Sequence, residues 1–207
     1  MVAEVWGLAG LLAAAYGAIW SDAGPSWAKT AVKTASVALL AVAGARAGAP
    51  GAIVAGLALG ALGDLFLSRP GQGAFLAGMA AFALGHLAYA AQFWTTGGAP
   101  SALWAIVLGL LVLSTEGWLA PRTGALRWPV RAYALIIGLM AFAATGHGLT
   151  WAVVGAFLFL LSDLLLSFDL FLLPQGRARA VLRRTLWAAY WGGQALILFG
   201  MLPAAAG

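Results

Sequence analysis

The chain has 207 residues, of which 63% are hydrophobic and only 8% charged, with a net charge of +5 and no cysteine. Soluble domains carry about 25% charged residues, so this composition excludes an ordinary soluble protein and predicts an integral membrane protein. The absence of cysteine excludes disulfides, thiolate metal sites and a cysteine nucleophile. The basic residues lie in short connections rather than in one patch, so we expect lipid phosphates, and not nucleic acid, as their partners.

Eight apolar segments are long enough to cross a bilayer as helices, because about 20 residues span a hydrocarbon core of about 30 Å. They are residues 3–20, 29–46, 51–68, 73–94, 101–119, 129–146, 150–172 and 184–202. The runs are too long and too uniformly apolar for strands, and Pro and Gly mark the connections. The first segment lacks the basic start of a secretory signal, so we expect a retained helix. The predicted fold is all-α: one membrane domain over residues 1–207 with eight transmembrane helices.

Basic residues are distributed unequally between the two ends of this predicted bundle. If the spans alternate in direction, only Arg46 falls at one end, and the other end carries Lys29, Lys33, Arg69, Arg122, Arg127, Arg131, Arg177, Arg179, Arg183 and Arg184. Cationic ends face the cytoplasm. Both termini are therefore predicted to lie outside, in what we expect to be a bacterial inner membrane, and the arginine-rich stretch 175–184 is predicted to be a cytoplasmic loop.

Two aspartates inside the apolar segments occur in nearly the same phrase. Asp64 lies in Gly-Asp-Leu-Phe-Leu-Ser, and Asp163 lies in Ser-Asp-Leu-Leu-Leu-Ser. A carboxylate at the bilayer centre costs about 2.5–3.5 kcal/mol on insertion scales, so intramembrane acids usually face a partner, a cavity or a substrate. Their separation of 99 residues, with a similar recurrence of tyrosine, predicts two parallel four-helix halves, residues 1–97 and 98–207.

Further polar side chains are expected near these aspartates, in the cytoplasmic half of the bundle. Gly56, Gly60 and Asp64 recur every four residues, which places the acid on a stripe that packs inside the bundle. The residues that we expect to contact a substrate in this region are Lys33, His86, Tyr89, Tyr133, Ser162, Tyr190 and Gln194. Asp169 is nearer the interface and is expected to be solvated.

Two carboxyl groups held close together in a low-dielectric site should not both be ionised. A protonated acid beside a carboxylate is suited to hydrolysing an acid-labile carbon–oxygen bond through an oxocarbenium-like state, as in glycosidases. The residues alone leave other interpretations open: a proton or ion relay in a transporter, buried acids that pair with Lys33 and an arginine, or a lipid-binding protein without chemistry. His86 is expected to be a hydrogen-bonded core group, and we expect no metal or other cofactor.

A set of short motifs runs in order through residues 33–194. They are Lys33, Gly63-Asp64, Gly78, Phe82, Gly85-His86-Leu87-Ala88-Tyr89, Tyr133 with Met140, the run 155–163 that ends in Ser162-Asp163, and Tyr190-Trp191-Gly192-Gly193-Gln194. Together they resemble the YhhN-like lysoplasmalogenase family of eight-helix membrane proteins. Thr34 stands where members of that family often have proline.

The resemblance implies hydrolysis of the vinyl-ether bond of lysoplasmalogens, giving a fatty aldehyde and glycerophospho-ethanolamine or -choline. The two aspartates are then the predicted catalytic pair, one delivering a proton while the other stabilises the cation and orients water. The lipid chain is expected among Phe66, Phe82 and Phe159, and the phosphate near Lys33. The expected partners are thus a lysophospholipid substrate and the surrounding membrane lipids.

Overall fold

The computed structural model describes residues 2–148 and 150–203, and within them the chain forms eight α-helices and no β-strand. The helices are α1 (Val2–Ala15), α2 (Trp27–Arg46), α3 (Gly51–Leu67), α4 (Gln72–Thr96), α5 (Ala102–Trp118), α6 (Arg127–Ala144), α7 (Trp151–Phe171) and α8 (Arg177–Met201). The predicted all-α bundle is confirmed, although the predicted domain 1–207 includes positions outside the described ranges. Six helices are long and apolar enough to cross a membrane. The other two are the 17-residue α3 and the arginine-rich α8.

The first helix continues beyond α1 as a π-helix over Tyr16–Trp20. Single π turns inside helices occur frequently at functional sites. This turn places the ring of Tyr16 against that of Trp187, with ring centroids 4.2 Å apart. It leads into the connection 21–26. Ser26 then caps α2, because its hydroxyl accepts a hydrogen bond from the backbone N–H of Lys29 at 3.1 Å.

The largest difference from the predicted elements is at α8, which begins at Arg177 and not near residue 184. The stretch predicted to be a cytoplasmic loop therefore forms the first turns of a helix. Arg, Ala and Leu are strong helix formers, but a search for apolar segments misses a helix that extends beyond the bilayer. Arg179 and Arg183, one turn apart, both donate to Asp169 of α7. Asp169 is thus buried and ion-paired, not solvated as predicted.

Small residues on α3 allow this helix to lie close to its neighbours. Gly56, Gly60 and Asp64 are all buried, as their four-residue spacing predicts. A Cβ atom at Gly56 would lie 2.3 Å from the ring of Tyr89 on α4, so glycine is required for this close approach. The stripe therefore fixes the acid on the inner face of α3.

Helices α7 and α8 also meet almost backbone to backbone. An added Cβ at Gly155 would lie 2.6 Å from the carbonyl oxygen of Gly193. Helix α3 packs along α4 in the first half of the chain, and α7 packs along α8 in the second. The duplication into residues 1–97 and 98–207 stays a prediction. Between these pairs, α2 contacts both α3 and α8, and the space enclosed by these five helices contains the candidate site.

Candidate active site

A cavity of about 380 Å³ lies among α2, α3, α4, α7 and α8, at the end of the bundle that carries the α1–α2 connection. Asp64 and Asp163 both line it, together with Lys33, Ser162 and Tyr190. The structure thus brings these five predicted site residues, from four different helices, to the wall of one cavity. The other predicted residues lie in an adjoining cleft or behind the wall.

Asp64 is fully buried, and both of its carboxyl oxygens have partners. Lys33 Nζ on α2 lies 2.8 Å from Oδ1, and the Tyr190 hydroxyl on α8 donates to Oδ2 at 2.8 Å. The same ammonium lies 5.9 Å from the ring centroid of Trp187 and 5.8 Å from that of Tyr190. An adjacent cation and a phenol donor stabilise a carboxylate that would otherwise be costly at this depth.

The ion pair changes the expected role of Lys33. Pairing of a buried acid with this lysine is one of the interpretations that the sequence leaves open, and it is present here on a residue that also lines the cavity. A lysine whose charge is balanced by a carboxylate 2.8 Å away is not a free cation. Lys33 thus holds Asp64, and its contact with the substrate phosphate stays a prediction.

Asp163 has partners without a permanent charge. The Tyr133 hydroxyl on α6 donates to Oδ2 at 2.7 Å, and His86 Nε2 on α4 lies 3.3 Å from the same oxygen. The Asp163 side chain is 14% exposed, against 0% for Asp64. These contacts are both made through Oδ2.

His86 lies behind Asp163 rather than in the cavity. Its Nε2 is 3.0 Å from the Tyr133 hydroxyl, and its ring meets that of Phe159 edge-on with centroids 4.6 Å apart. It is thus a buried, hydrogen-bonded group that orients its two partners. Within the described parts of the chain, no group of three His, Asp or Glu side chains is arranged to hold a metal ion.

Tyr89 and Gln194 pair with one another away from the cavity lining. The Tyr89 hydroxyl donates to Gln194 Oε1 at 2.7 Å, and both residues are at most 1% exposed. The pair joins α4 to α8 inside the bundle, and its contact with a substrate head group stays a prediction. Ser162 does line the cavity, but its hydroxyl donates to the Phe159 carbonyl of its own helix at 2.7 Å.

A smaller, mainly apolar branch of about 50 Å³ adjoins the cavity at Asp163. The residues that line both spaces are Leu67, Phe75, Phe82, Asp163, Leu166 and Leu170, and the branch adds Met79, Val130, Tyr133, Ser167 and Phe171. Of the three phenylalanines predicted to surround a lipid chain, only Phe82 lies on this path. Phe66 is 37% exposed on the surface, and Phe159 is 1% exposed within the core.

The mouth of the cavity contains charged residues that the sequence analysis did not assign to the site. Asp22, Lys29, Asp169 and Arg183 all line it. Arg183 donates to Asp22 Oδ1 and to Asp169 Oδ1, each at 2.9 Å, and so ties the α1–α2 connection to α7 and α8. The one-turn spacing of Arg179 and Arg183 is the sequence signal that points to this cluster.

Sequence relatives of this chain fall in one family. The model of the YhhN family matches residues 28–201. Relatives include lysoplasmalogenase TMEM86A of Bos taurus, 37% identical over 152 residues that cover 66% of this chain and 61% of the relative. Lysoplasmalogenase TMEM86B of Sus scrofa is 33% identical over 199 residues, 89% of this chain and 80% of the relative.

The matched lengths differ between these relatives. The chain spans about three fifths of the length of the TMEM86A proteins of Bos taurus and Homo sapiens. No solved structure matches the chain. The family match covers most of the eight-helix bundle, including every residue predicted for the site. The resemblance predicted from the motifs is therefore confirmed, and the chain belongs to the YhhN family.

Proposed function

We propose that this chain is a membrane lysoplasmalogenase, which hydrolyses the vinyl-ether bond of a lysoplasmalogen to a fatty aldehyde and glycerophospho-ethanolamine or -choline. The names of its relatives support this activity. The single observation that carries the mechanism is that two acids with different partners, Asp64 and Asp163, line one cavity. A charged mouth and an apolar branch also suit a lipid with one chain and a polar head.

Asp64 is proposed to stay ionised throughout the reaction. Its partners are a lysine ammonium at 2.8 Å and a phenol donor at 2.8 Å, and both favour the charged carboxylate. A fixed negative charge in a site shielded from water stabilises a cationic intermediate more strongly than the same charge in solution. Asp64, as the negative end of its ion pair with Lys33, would therefore stabilise the oxocarbenium ion that forms when a vinyl ether is protonated.

Asp163 is proposed as the proton donor. Its Oδ2 accepts the Tyr133 hydrogen bond, so a proton on this carboxyl group would sit on Oδ1, the oxygen available to the cavity. Vinyl-ether hydrolysis requires a proton donor and a group that stabilises the cation. A protonated Asp163 near an ionised Asp64 would supply both. Tyr133 and His86 would then be positioning residues, since both hold the Asp163 carboxyl group through Oδ2.

The reaction consumes one water and needs no oxidant or reductant. Asp163 gives its proton to the alkene carbon farther from the ether oxygen, which forms a C–H bond and leaves the positive charge shared between the other carbon and that oxygen. Water adds to the charged carbon and returns a proton to Asp163. The resulting hemiacetal breaks its bond to the glycerol oxygen, which takes the hydroxyl proton, and the aldehyde is released.

The alkenyl chain is proposed to lie in the apolar branch beside Asp163. The branch begins at residues shared with the cavity and is lined mainly by Leu, Phe, Met and Val side chains. A chain there would place its first carbons next to the proposed proton donor and leave the head group at the charged mouth. This arrangement replaces the predicted cluster of Phe66, Phe82 and Phe159.

The membrane orientation is also a proposal. Arg69 donates to Ser26 and Thr30, and Arg183 pairs with Asp22, so cations from distant parts of the chain gather at the end that bears the cavity mouth. Cytoplasmic ends of membrane proteins carry such an excess. We therefore infer a bacterial inner membrane protein with both termini outside and the mouth facing the cytoplasm.

The proposed function is tested by mass spectrometry of products after purified protein is incubated with a lysoplasmalogen. The matched control is the lysolipid with a saturated 1-alkyl ether, and a second control omits the protein. We expect aldehyde from the alkenyl lipid only, and in D₂O the aldehyde should gain deuterium on the carbon next to the carbonyl. Absence of aldehyde would reject the proposal, and lysolipid flux into proteoliposomes without turnover would favour the transporter interpretation.

A further inference from the structure

The cations that line the cavity differ in their ion pairing. Arg183 lies between Asp22 and Asp169, with 2.9 Å to an oxygen of each, and Lys33 lies against Asp64 at 2.8 Å. Lys29 differs from these two cations. Among the described residues, no carboxylate forms an ion pair with it.

Lys29 is nevertheless held at the cavity wall. It is half-buried and lines the cavity. Its Nζ donates to the backbone carbonyl of Ala23 and lies 5.9 Å from the ring centroid of Tyr16. A lysine ammonium has three donors, so two remain for a ligand. A half-buried cation without a carboxylate partner, fixed in this way, is suited to binding an anion.

The spacing of the two lysines on α2 matches the substrate of the proposed function. Lys29 and Lys33 are four residues apart, so they lie on one face, roughly 6 Å apart along the helix axis. In a lysoplasmalogen, five single bonds separate the ether oxygen from the phosphorus, which is roughly 6 Å when extended. An ether oxygen near the level of the Lys33–Asp64 pair would therefore bring the phosphate to the level of Lys29.

We propose that Lys29, and not Lys33, binds the phosphate of the substrate head group at the mouth of the cavity. This inference depends on the proposed function for the identity of the lipid. The group that Lys29 would bind is an anionic phosphate, which could belong to a lipid phosphodiester or to free inorganic phosphate. The lipid is favoured because the same cavity leads past the two acids to the apolar branch.

The test compares the wild type with Lys29→Gln on two substrates, a lysoplasmalogen and a 1-alkenylglycerol that has no phosphate. Because hydrogen bonds to charged groups contribute strongly, we expect KM for the lysoplasmalogen to rise about tenfold or more, with kcat within about twofold. KM for the 1-alkenylglycerol should not change. Lys29→Arg should restore most of the affinity, and Arg184→Gln, an exposed cation of α8 outside the cavity lining, is the matched control.

A second arm separates the two sources of phosphate. Inorganic phosphate at millimolar concentration should inhibit the wild type only weakly. Strong inhibition of the wild type that disappears in Lys29→Gln would overturn the lipid assignment in favour of a free phosphate site. Equal changes in KM for both substrates would overturn phosphate recognition and indicate a structural role for Lys29.

Binding is measured in parallel by native mass spectrometry of the same variants with the saturated 1-alkyl lysophospholipid and the corresponding 1-alkylglycerol. Weaker binding of the phospholipid alone by Lys29→Gln supports the inference, and unchanged binding overturns it. This readout does not require turnover. A wild type that forms no aldehyde would therefore reject the proposed function, while the binding result would still decide the role of Lys29.

Discussion

The two aspartates occur in nearly identical sequence phrases, yet their surroundings differ in the folded chain. Asp64 is sealed in the bundle against the charge of Lys33. The Asp163 side chain is 14% exposed, and its carboxyl group is held by Tyr133 and His86. The difference arises from the helices that each one faces: α2 and α8 for the first acid, and α4 and α6 for the second.

This contrast indicates that two copies of a short motif need not have the same role. The carboxyl group of Asp64 lies beside a buried ammonium, whereas that of Asp163 is held by a phenol and an imidazole. The sequence alone does not separate proton donor from charged stabiliser. The partners do, and the following variants test that assignment.

The largest effect is expected for Asp163→Asn. Loss of a general acid lowers rates by about 10²–10⁴-fold, and the amide can still accept the Tyr133 hydrogen bond, so the fold should persist. Aldehyde release and thermal unfolding are measured on the same preparation. A rate within twofold of the wild type would remove this residue from the mechanism.

A comparable loss of activity is expected for Asp64→Asn, at about 10²–10³-fold, because the cation loses its stabilising charge. Here stability should fall as well, by about 3–5 kcal/mol, since Lys33 is left without its partner in the bundle. The double variant Lys33→Met with Asp64→Asn removes both charges and should recover stability but not activity. A double variant that recovers neither stability nor activity, or that recovers both, would contradict the proposed roles of Lys33 and Asp64.

Tyr133→Phe should lower kcat by about tenfold, because the hydrogen bond that directs the proton of Asp163 to Oδ1 is lost while the ring remains. A positioning role predicts a change in kcat with little change in KM. Steady-state kinetics on one lysoplasmalogen measure both constants. A rise in KM alone would instead indicate that Tyr133 contacts the substrate.

A smaller effect, on selectivity, is expected for Met79→Trp in the apolar branch. A larger side chain there should lower kcat/KM for long alkenyl chains more than for short ones, since the branch would hold fewer carbons. Leu84→Trp on the same helix, at a position 55% exposed on the surface, is the matched control. Equal loss for every chain length would place the chain elsewhere.

The smallest effect on activity is expected for Tyr89→Phe. The Tyr89–Gln194 hydrogen bond is buried and remote from the cavity lining, so kcat and KM should stay within about twofold. Stability should fall by about 1–3 kcal/mol, because the Gln194 side chain loses a buried partner. A selective rise in KM would instead support the predicted contact of Tyr89 with the head group.

Most of the fold was predictable because its signals are local. Runs of apolar residues predict membrane helices, and seven of the helices begin within two residues of the predicted span. The start of α8 was missed because Arg177 and the arginines that follow it form helix outside the apolar run. The apolar pattern indicates where a helix is buried in lipid, not where the helix ends.

The candidate site was predicted in part. Asp64 and Asp163 were recognisable because an acid in an apolar helix is costly and repeated phrases are visible in the sequence. The pairing of Tyr89 with Gln194, 105 residues apart in the chain, was not visible. Arg183 is 161 residues from Asp22 in the chain, and only folding brings it to the same mouth as Asp22 and Lys29.

The sequence by itself determined the membrane class, the eight helices, the family and the two acids, because each depends on composition or on neighbouring residues. Only the tertiary structure decided which groups lie beside each acid: Lys33 beside Asp64, and Tyr133 and His86 beside Asp163. The physical reason is that the charge state of a buried group depends on contacts across helices. Those contacts follow from how closely glycines such as Gly56 and Gly155 let the helices approach.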